Sequence, residues 1–325
     1  MLLVGQGTMA GVHADIYRQM TDVELVGAVD PDDVQTKTLG LPCFASLHDV
    51  PRDRFDILDI CVPTYLHKFY ILAGAELGKS IICEKPLALS LGEAKDIIGF
   101  AQARQVRLMV GHVVRFFPEY VRAKEVIQSG ELGDIGVVRT FRGGRFPHGW
   151  RNWYANHDLS GGTFIDLMIH DFDYLRWVLG PIDRIFAKTR CKENDRQLEY
   201  SVAVARFQNG TIAHMQASWA HNRFGTRFEF AGSRGILQHD SLRRTALNVE
   251  LQSSQTDASG VQVPSGSIGR SPYQRELESF VNAIRYDRPL PIPVEEAYEA
   301  LRIADAARRS ADMGQPIVLR EETEV

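Results

Sequence analysis

Long apolar runs are missing from this 325-residue chain: none approaches the roughly 20 residues that a membrane-crossing helix needs, so no membrane span is expected. Cysteine is scarce as well. The four present, Cys43, Cys61, Cys83 and Cys191, form no C-x-x-C pair, which leaves no disulfide or zinc framework and reads as reduced, buried thiols in a cytoplasmic protein. Neither sign of charge dominates. A net charge of −4 offers no electrostatic basis for nucleic acid as a partner. The opening Met1–Val4 run stops at Gly5, too short for the core of a secretory signal and without a basic flank. His, Asp and Glu recur at no metal-ligand spacing, so no metal is expected. What remains, 44% apolar and 24% charged residues, is the balance of an ordinary globular protein, and the length suffices for two cores.

The first third alternates strand-length apolar runs with helical patterns. The runs are Leu2–Val4, Val23–Val29, Ile57–Val62, Ser80–Cys83 and Val106–Val110; helices are expected around Ala10–Met20, Leu66–Leu77 and Leu91–Ala103. Near-continuous apolar strands separated by helices predict a parallel sheet covered on both faces. From about Gly133 the texture changes. Strand-like stretches follow one another at Gly136–Arg142, Arg184–Arg190, Ser201–Phe207, Thr211–Ser218, Arg227–Ala231 and Ile236–His239, which predicts a largely antiparallel sheet. One helix interrupts them, Thr163–Leu179, with Ser160 as its expected N-cap and Gly180-Pro181 as its stop. Gln252–Pro272 is rich in Gly and Ser and reads as a long loop. Helices at Tyr273–Tyr286 and Val294–Met313 and a short strand at Ile317–Leu319 complete the chain.

A glycine-rich turn, Gly5-Gln-Gly7-Thr8-Met9-Ala10, follows the first strand and opens the first helix. Gly5 permits a sharp turn, Gly7 lets the backbone approach a pyrophosphate, and the helix N-terminus offers N–H groups to the anion. Asp30 ends the second apolar run about 20 residues further on, where a carboxylate accepts from a ribose 2′-hydroxyl and repels a 2′-phosphate. The alternative is that Asp30-Pro31 caps the next helix. No Arg stands beside Asp30 to receive a phosphate, so NAD is expected over NADP.

Glu84-Lys85-Pro86 lies at the carboxyl end of an apolar strand, the edge where open α/β sheets bind ligands. Lys85 reads either as a proton-transfer group or as a solvated turn residue. At 100° per residue, Asp166, His170 and Asp173 share one stripe of an otherwise apolar helix. Ionisable groups there are costly unless paired or functional. Asp166 and His170 either hydrogen-bond or face one cleft together. Lesser candidates are His67 near a strand-to-helix turn, His112 and Arg115 after the strand ending at Val110, and the cluster Trp150, Trp153, Tyr154, Asn156 and His157.

These features together resemble the glucose–fructose oxidoreductase, inositol dehydrogenase and rhizopine catabolism (Gfo/Idh/MocA) family over nearly the whole chain. The likeness runs through Gly5-x-Gly7-x-Met9-Ala10-x-x-His13, Pro63-Thr64-x-x-His67, Glu84-Lys85-Pro86, Gly111-His112-Val-Val-Arg115-Phe-x-Pro118, Leu132-Gly133-x-Ile135, and Gly161-Gly162 before Asp166-x-x-x-His170-x-x-Asp173. It implies an α/β plus α+β architecture: an N-terminal Rossmann domain over 1–115, and over 116–325 an open, mostly antiparallel sheet that forms a homodimer or homotetramer. Lys85 and His170 would handle a hydroxyl proton, with Asp166 orienting the substrate and His170, and the Lys85-Pro86 peptide is expected to be cis. Gly5, Gly7, Thr8, Met9, Asp30, Pro63, Thr64, His67, Glu84 and Lys85 would hold NAD. His112, Arg115, Trp153, Asp166 and His170 would meet the substrate, although His112 departs from the residues usual at its position. The expected reaction is hydride transfer between nicotinamide and a secondary carbinol of a sugar, cyclitol or polyol. Alternatives on the same residues are a redox-neutral epimerase or glycosidase that retains its NAD, and a sensor without activity.

Overall fold

The computed structural model describes residues 1–31, 39–192, 195–242 and 270–319. The chain first lays down β1 (Leu2–Val4), α1 (Thr8–Tyr17), β2 (Gly27–Val29), β3 (Cys43–Phe44), β4 (Ile57–Ile60), α2 (His67–Glu76), β5 (Ser80–Glu84), α3 (Leu91–Ala103) and β6 (Leu108–Gly111). The six strands pair in parallel in the order β3-β2-β1-β4-β5-β6, the doubly wound arrangement. Every residue of β1, β4 and β6 is buried, as strands covered on both faces must be. Helix α3 has its expected bounds because Ser90 caps it, its hydroxyl accepting from Glu93 N at 3.2 Å. Strand β2 is shorter than the sequence predicts, and β3 was not anticipated.

The second half adds α4 (Pro118–Gln128), β7 (Ile135–Arg145), α5 (His157–Ser160), α6 (Gly162–Asp166), α7 (Ile169–Leu179), β8 (Ile182–Lys192), β9 (Asp195–Phe207), β10 (Ile212–Ser218), β11 (Ala220–Gly232), β12 (Gly235–Asp240), α8 (Pro272–Arg285), α9 (Val294–Met313) and β13 (Ile317–Val318). Its seven strands lie in the order β12-β11-β7-β10-β9-β8-β13. The sheet is mixed: β7 and β10 run parallel, with Ile212 beside Val137, and the other pairs are antiparallel. One face packs on α9 and α7. The other exposes Tyr200, Val202 and Val204 of β9 with Phe186 and Ile212 of its neighbours.

Three expectations need correction. The helix expected from Thr163 to Leu179 is broken. Gly161, at φ 75°, separates α5 from α6, and α6 stops at Asp166 before α7 begins at Ile169. Ser160 therefore closes α5 instead of capping a long helix, its hydroxyl donating to Tyr154 O at 3.0 Å. Secondly, residues 116–325 do not all keep to their own unit. Tyr273, Leu277, Phe280 and Val281 of α8 form a core with Leu3, Tyr17 and Ile82 of the first sheet and α1, because the amphipathic face of α8 covers apolar surface there. Finally, most of the expected loop at Gln252–Pro272 lies outside the described residues, and Pro272 begins α8.

Candidate active site

The cleft lies along the carboxyl ends of the parallel strands and extends under β7 and the segment before α5; its volume is about 540 Å³. Gly5 begins it. Its φ of +93° suits glycine, and a Cβ there would stand 2.6 Å from Cys61 O. The close approach follows from sheet order, since Cys61 N donates to Val4 O at 2.8 Å across the β1–β4 pair. Gly7 precedes α1 with no side-chain cap, and a Cβ on it would meet nothing within 4 Å. Backbone N–H groups at the start of α1 thus face open space, the cradle a pyrophosphate requires. Thr8, Met9, Asp30, Pro63, Thr64, Glu84 and Lys85 line the same cleft. Residues 32–38, which would decide whether Asp30 caps a helix, lie outside the described residues.

Lys85 follows β5 and enters the cis Lys85–Pro86 peptide. Its ammonium donates to Asp166 O at 2.7 Å and to Asp166 Oδ1 at 3.0 Å. The break in the helix explains the first contact: the carbonyl of Asp166, at the end of α6, is satisfied by a side chain instead of by a continuing helix. Asp166 and His170 both line the cleft, so the alternative in which they hydrogen-bond to each other is not the one adopted. The carboxylate is taken by Lys85, and His170 Nδ1 has no hydrogen-bond partner. Burial, and then the cations Lys85 and Arg142, hold the His170 imidazole well below the ordinary histidine range. It is a neutral imidazole facing the cleft.

Several candidates sit behind the cleft instead of in it. His67 is buried with Nδ1 2.7 Å from Pro86 O and Nε2 3.0 Å from Val62 O. Burial pushes its pKa down, and a neutral ring can donate to only one of the two carbonyls; its place is between the turns after β4 and β5. Arg115 is turned into a two-pronged pair with Asp173, Nε to Oδ2 at 2.8 Å and Nη2 to Oδ1 at 2.6 Å, and also reaches Glu296. Asp173 shares the expected stripe but spends its charge on Arg115. His112 is fully buried, 3.8 Å from Asp173, and does not line the cleft. Trp153 does, stacked on Tyr154 with ring centroids 3.9 Å apart.

Sequence reasoning missed Arg142, His148, Phe224 and Tyr273, which also line the cleft. Arg142 had a legible signal. Val138, Thr140 and Arg142 occupy the buried phase of β7, and an arginine in that phase is costly unless paired. Asp171 supplies the partner at 3.1 Å; burial works against the cation, but Asp171 and Tyr120 more than offset it.

Comparison with known proteins agrees with this construction. Residues 1–112 match the oxidoreductase family with NAD-binding Rossmann fold, and residues 120–238 match the GFO/IDH/MocA C-terminal domain. The uncharacterized oxidoreductase YrbE of Bacillus subtilis is 30% identical over 288 residues, 86% of this chain and 81% of the relative. The myo-inositol 2-dehydrogenase of Thermotoga maritima is 26% identical over 98% of each chain. GenD2 from gentamicin A biosynthesis, solved in complex with NAD, superposes with a TM-score of 0.86 at 25% identity, covering 98% of this chain and 95% of that one. Fold and cleft define an NAD-dependent oxidoreductase acting on CH–OH groups. The chain belongs to the GFO/IDH/MocA family.

Proposed function

We propose that the protein transfers hydride between NAD and a secondary carbinol of a sugar, cyclitol or polyol, with His170 moving the proton and Lys85 and Asp166 holding the reacting oxygen. The observation that carries this reading is the convergence of Lys85, Asp166 and His170 on the cleft that also contains the Gly5–Met9 turn. Bound NAD supplies the hydride acceptor or donor. His170, kept neutral by burial and neighbouring cations, takes the hydroxyl proton during oxidation and returns it in the reverse direction. Lys85 uses two donor contacts on Asp166, and an ammonium has a third N–H for the substrate oxygen. Trp150, Trp153 and Tyr154 form an aromatic wall that suits the apolar face of a sugar ring. The cyclitol class draws support from the relative named myo-inositol 2-dehydrogenase. On this reading Gly5, Gly7, Thr8, Met9, Asp30, Pro63, Thr64 and Glu84 hold the cofactor, whereas His67, His112 and Arg115 position the residues that do.

Nicotinamide absorbance on mixing the protein with cyclitols, aldoses and polyols tests the reading, with NAD+ and NADP+ in parallel. Turnover of one class with NAD+ is expected. Silence across the panel from a protein that binds NAD would overturn it.

The exposed strip of the seven-stranded sheet reads as the contact with a second copy of the chain. Val204 lies beside Phe186 on one side and His214 on the other, so Phe186, Tyr200, Val202, Val204 and Ile212 share one exposed face, interspersed with Lys188, Arg206 and His214. No helix among the described residues is long and apolar enough to cross a membrane. A cytoplasmic location is supported by four cysteines, none of them in a disulfide.

A further inference from the structure

Behind the cleft runs a buried chain of ionisable groups that the proton-transfer reading does not use. Tyr17 and His13, one helical turn apart on α1, both engage Asp59 Oδ2 on β4, the hydroxyl donating at 2.8 Å and His13 Nδ1 at 2.8 Å. Cys61 Sγ lies 3.3 Å from the same ring nitrogen. The other ring nitrogen, Nε2, is 3.4 Å from Glu84 Oε1, an ion-pair distance. Glu84 Oε2 accepts from Lys85 N at 3.1 Å. His13 and Asp59 are 2% and 0% exposed, while Glu84, at 12%, reaches the cleft.

Charge counting gives the chain a consequence. Burial disfavours the His13 cation, but its contacts with the Asp59 carboxylate more than offset it and hold it well above the ordinary histidine range; burial pushes the Cys61 thiol up to about 12, so it adds no charge. Burial also pushes the Glu84 carboxyl up, and His13 and Lys85 bring it below its usual value. Glu276 of α8, which faces the same cluster, is driven well up by burial and by Glu84, so it stays neutral. Three carboxylates, Asp59, Glu84 and Asp166, therefore face two cations, His13 and Lys85, leaving one negative charge in excess. Asp171 and Asp173 are matched separately by Arg142 and Arg115.

Sheet order says which end of the cofactor meets this charge. Asp30 ends β2, the pyrophosphate turn follows β1, and Glu84 ends β5, three strand spacings or roughly 14 Å beyond Asp30. A dinucleotide with its adenosine ribose at Asp30 carries its nicotinamide toward β5. The two redox forms of that ring differ by one positive charge, present in NAD+ and absent in NADH.

We propose that Glu84, backed by the Tyr17–Asp59–His13 chain, places a fixed negative charge at the nicotinamide end of the cleft and so favours oxidised over reduced cofactor. The proposal rests on assigning Glu84 and Lys85 to that end. His13 is a positioning residue acting through Glu84. At a few ångströms in a partly desolvated cleft, a unit charge changes the relative affinity of two such ligands by about tenfold.

Fluorescence titration of NAD+ and NADH gives the ratio of their Kd values for the wild-type protein and for Glu84→Gln, His13→Asn, the double variant and Lys85→Met. Glu84→Gln is expected to raise Kd(NAD+)/Kd(NADH) about tenfold. His13→Asn removes a cation and leaves Glu84 in place, so it should lower the ratio, and the double variant should lie between wild type and Glu84→Gln. A merely structural role would weaken both forms equally, and an unchanged ratio in Glu84→Gln overturns the proposal even if His13→Asn fails to fold. Lys85→Met separates the two ideas, because loss of its cation should lower the ratio. If Lys85→Met shifts the ratio and Glu84→Gln does not, the end of the cleft is correctly assigned and the charge selection is wrong. If neither shifts it, the assignment of that end fails as well.

Discussion

The ammonium of Lys85 grips Asp166 by its carbonyl oxygen at 2.7 Å and its carboxylate at 3.0 Å, across 81 residues of sequence. This grip joins the turn after β5 of the parallel sheet to the broken helix of the second unit. It also takes Asp166 away from His170, whose Nδ1 is left without a partner beside two cations. The His170 imidazole is thus tuned by what surrounds it and not by a paired carboxylate.

Removal of that imidazole should be felt in the chemical step alone. His170→Ala is expected to lower kcat by about 10²–10⁴ while leaving the affinity for NAD+ nearly unchanged. Steady-state kinetics with the substrate class found in the panel, alongside cofactor titration, check both halves. Full activity in this variant would remove His170 from the mechanism.

Asp30→Ala should weaken NAD+ binding and improve binding of NADP+ relative to it, because a hydroxyl acceptor and a phosphate-repelling charge disappear together. Titrating both cofactors against the variant decides the point. Unchanged selectivity would return Asp30 to an ordinary turn residue.

Acid should destabilise the fold before ordinary carboxylates protonate. Burial holds His67, His112 and His170 below 6.5. Between 6.5 and those lower values the unfolded chain binds protons that the folded chain does not, so this stability is present above pH 6.5 and lost as pH falls. The slope is about 1.4 kcal/mol per pH unit for each histidine. His13, raised instead, stays protonated in both states below 6.5 and contributes no slope there. The denaturant midpoint should fall from pH 6.5 to 5.5, by less than three histidines' share because the raised Glu276 carboxyl works the other way there, and His112→Asn should flatten the fall by about one histidine's share.

Charge placed in the exposed strip should break the contact with a second copy. Val204→Glu is expected to reduce the molar mass measured by light scattering after size exclusion, with folding intact. A mass unchanged from wild type would move the interface elsewhere.

Much of the fold was legible because its signals are local. Helices α3 and α9 run over the residues their patterns predict, and the Gly5–Ala10 turn sits at a strand-to-helix junction as its spacing requires. The long helix failed because α6 stops at Asp166, whose carbonyl is drawn toward Lys85, although the apolar pattern continues past it. Arg115 is expected to meet the substrate and Asp173 shares the stripe of Asp166 and His170, but their mutual pair spans 58 residues and has no local trace.

By itself the sequence determined most of the strands and helices, where a pyrophosphate would meet an uncapped helix, and which stripe of residues carries charge into an apolar helix. These depend on backbone conformation and period, which neighbouring residues control. Only the tertiary structure decided how the charges are shared: Lys85 with Asp166, Arg142 with Asp171, Arg115 with Asp173, and His13 between Asp59 and Glu84. Those pairings depend on burial and distance between distant segments, and in a low-dielectric interior they set which groups stay charged and which stay neutral.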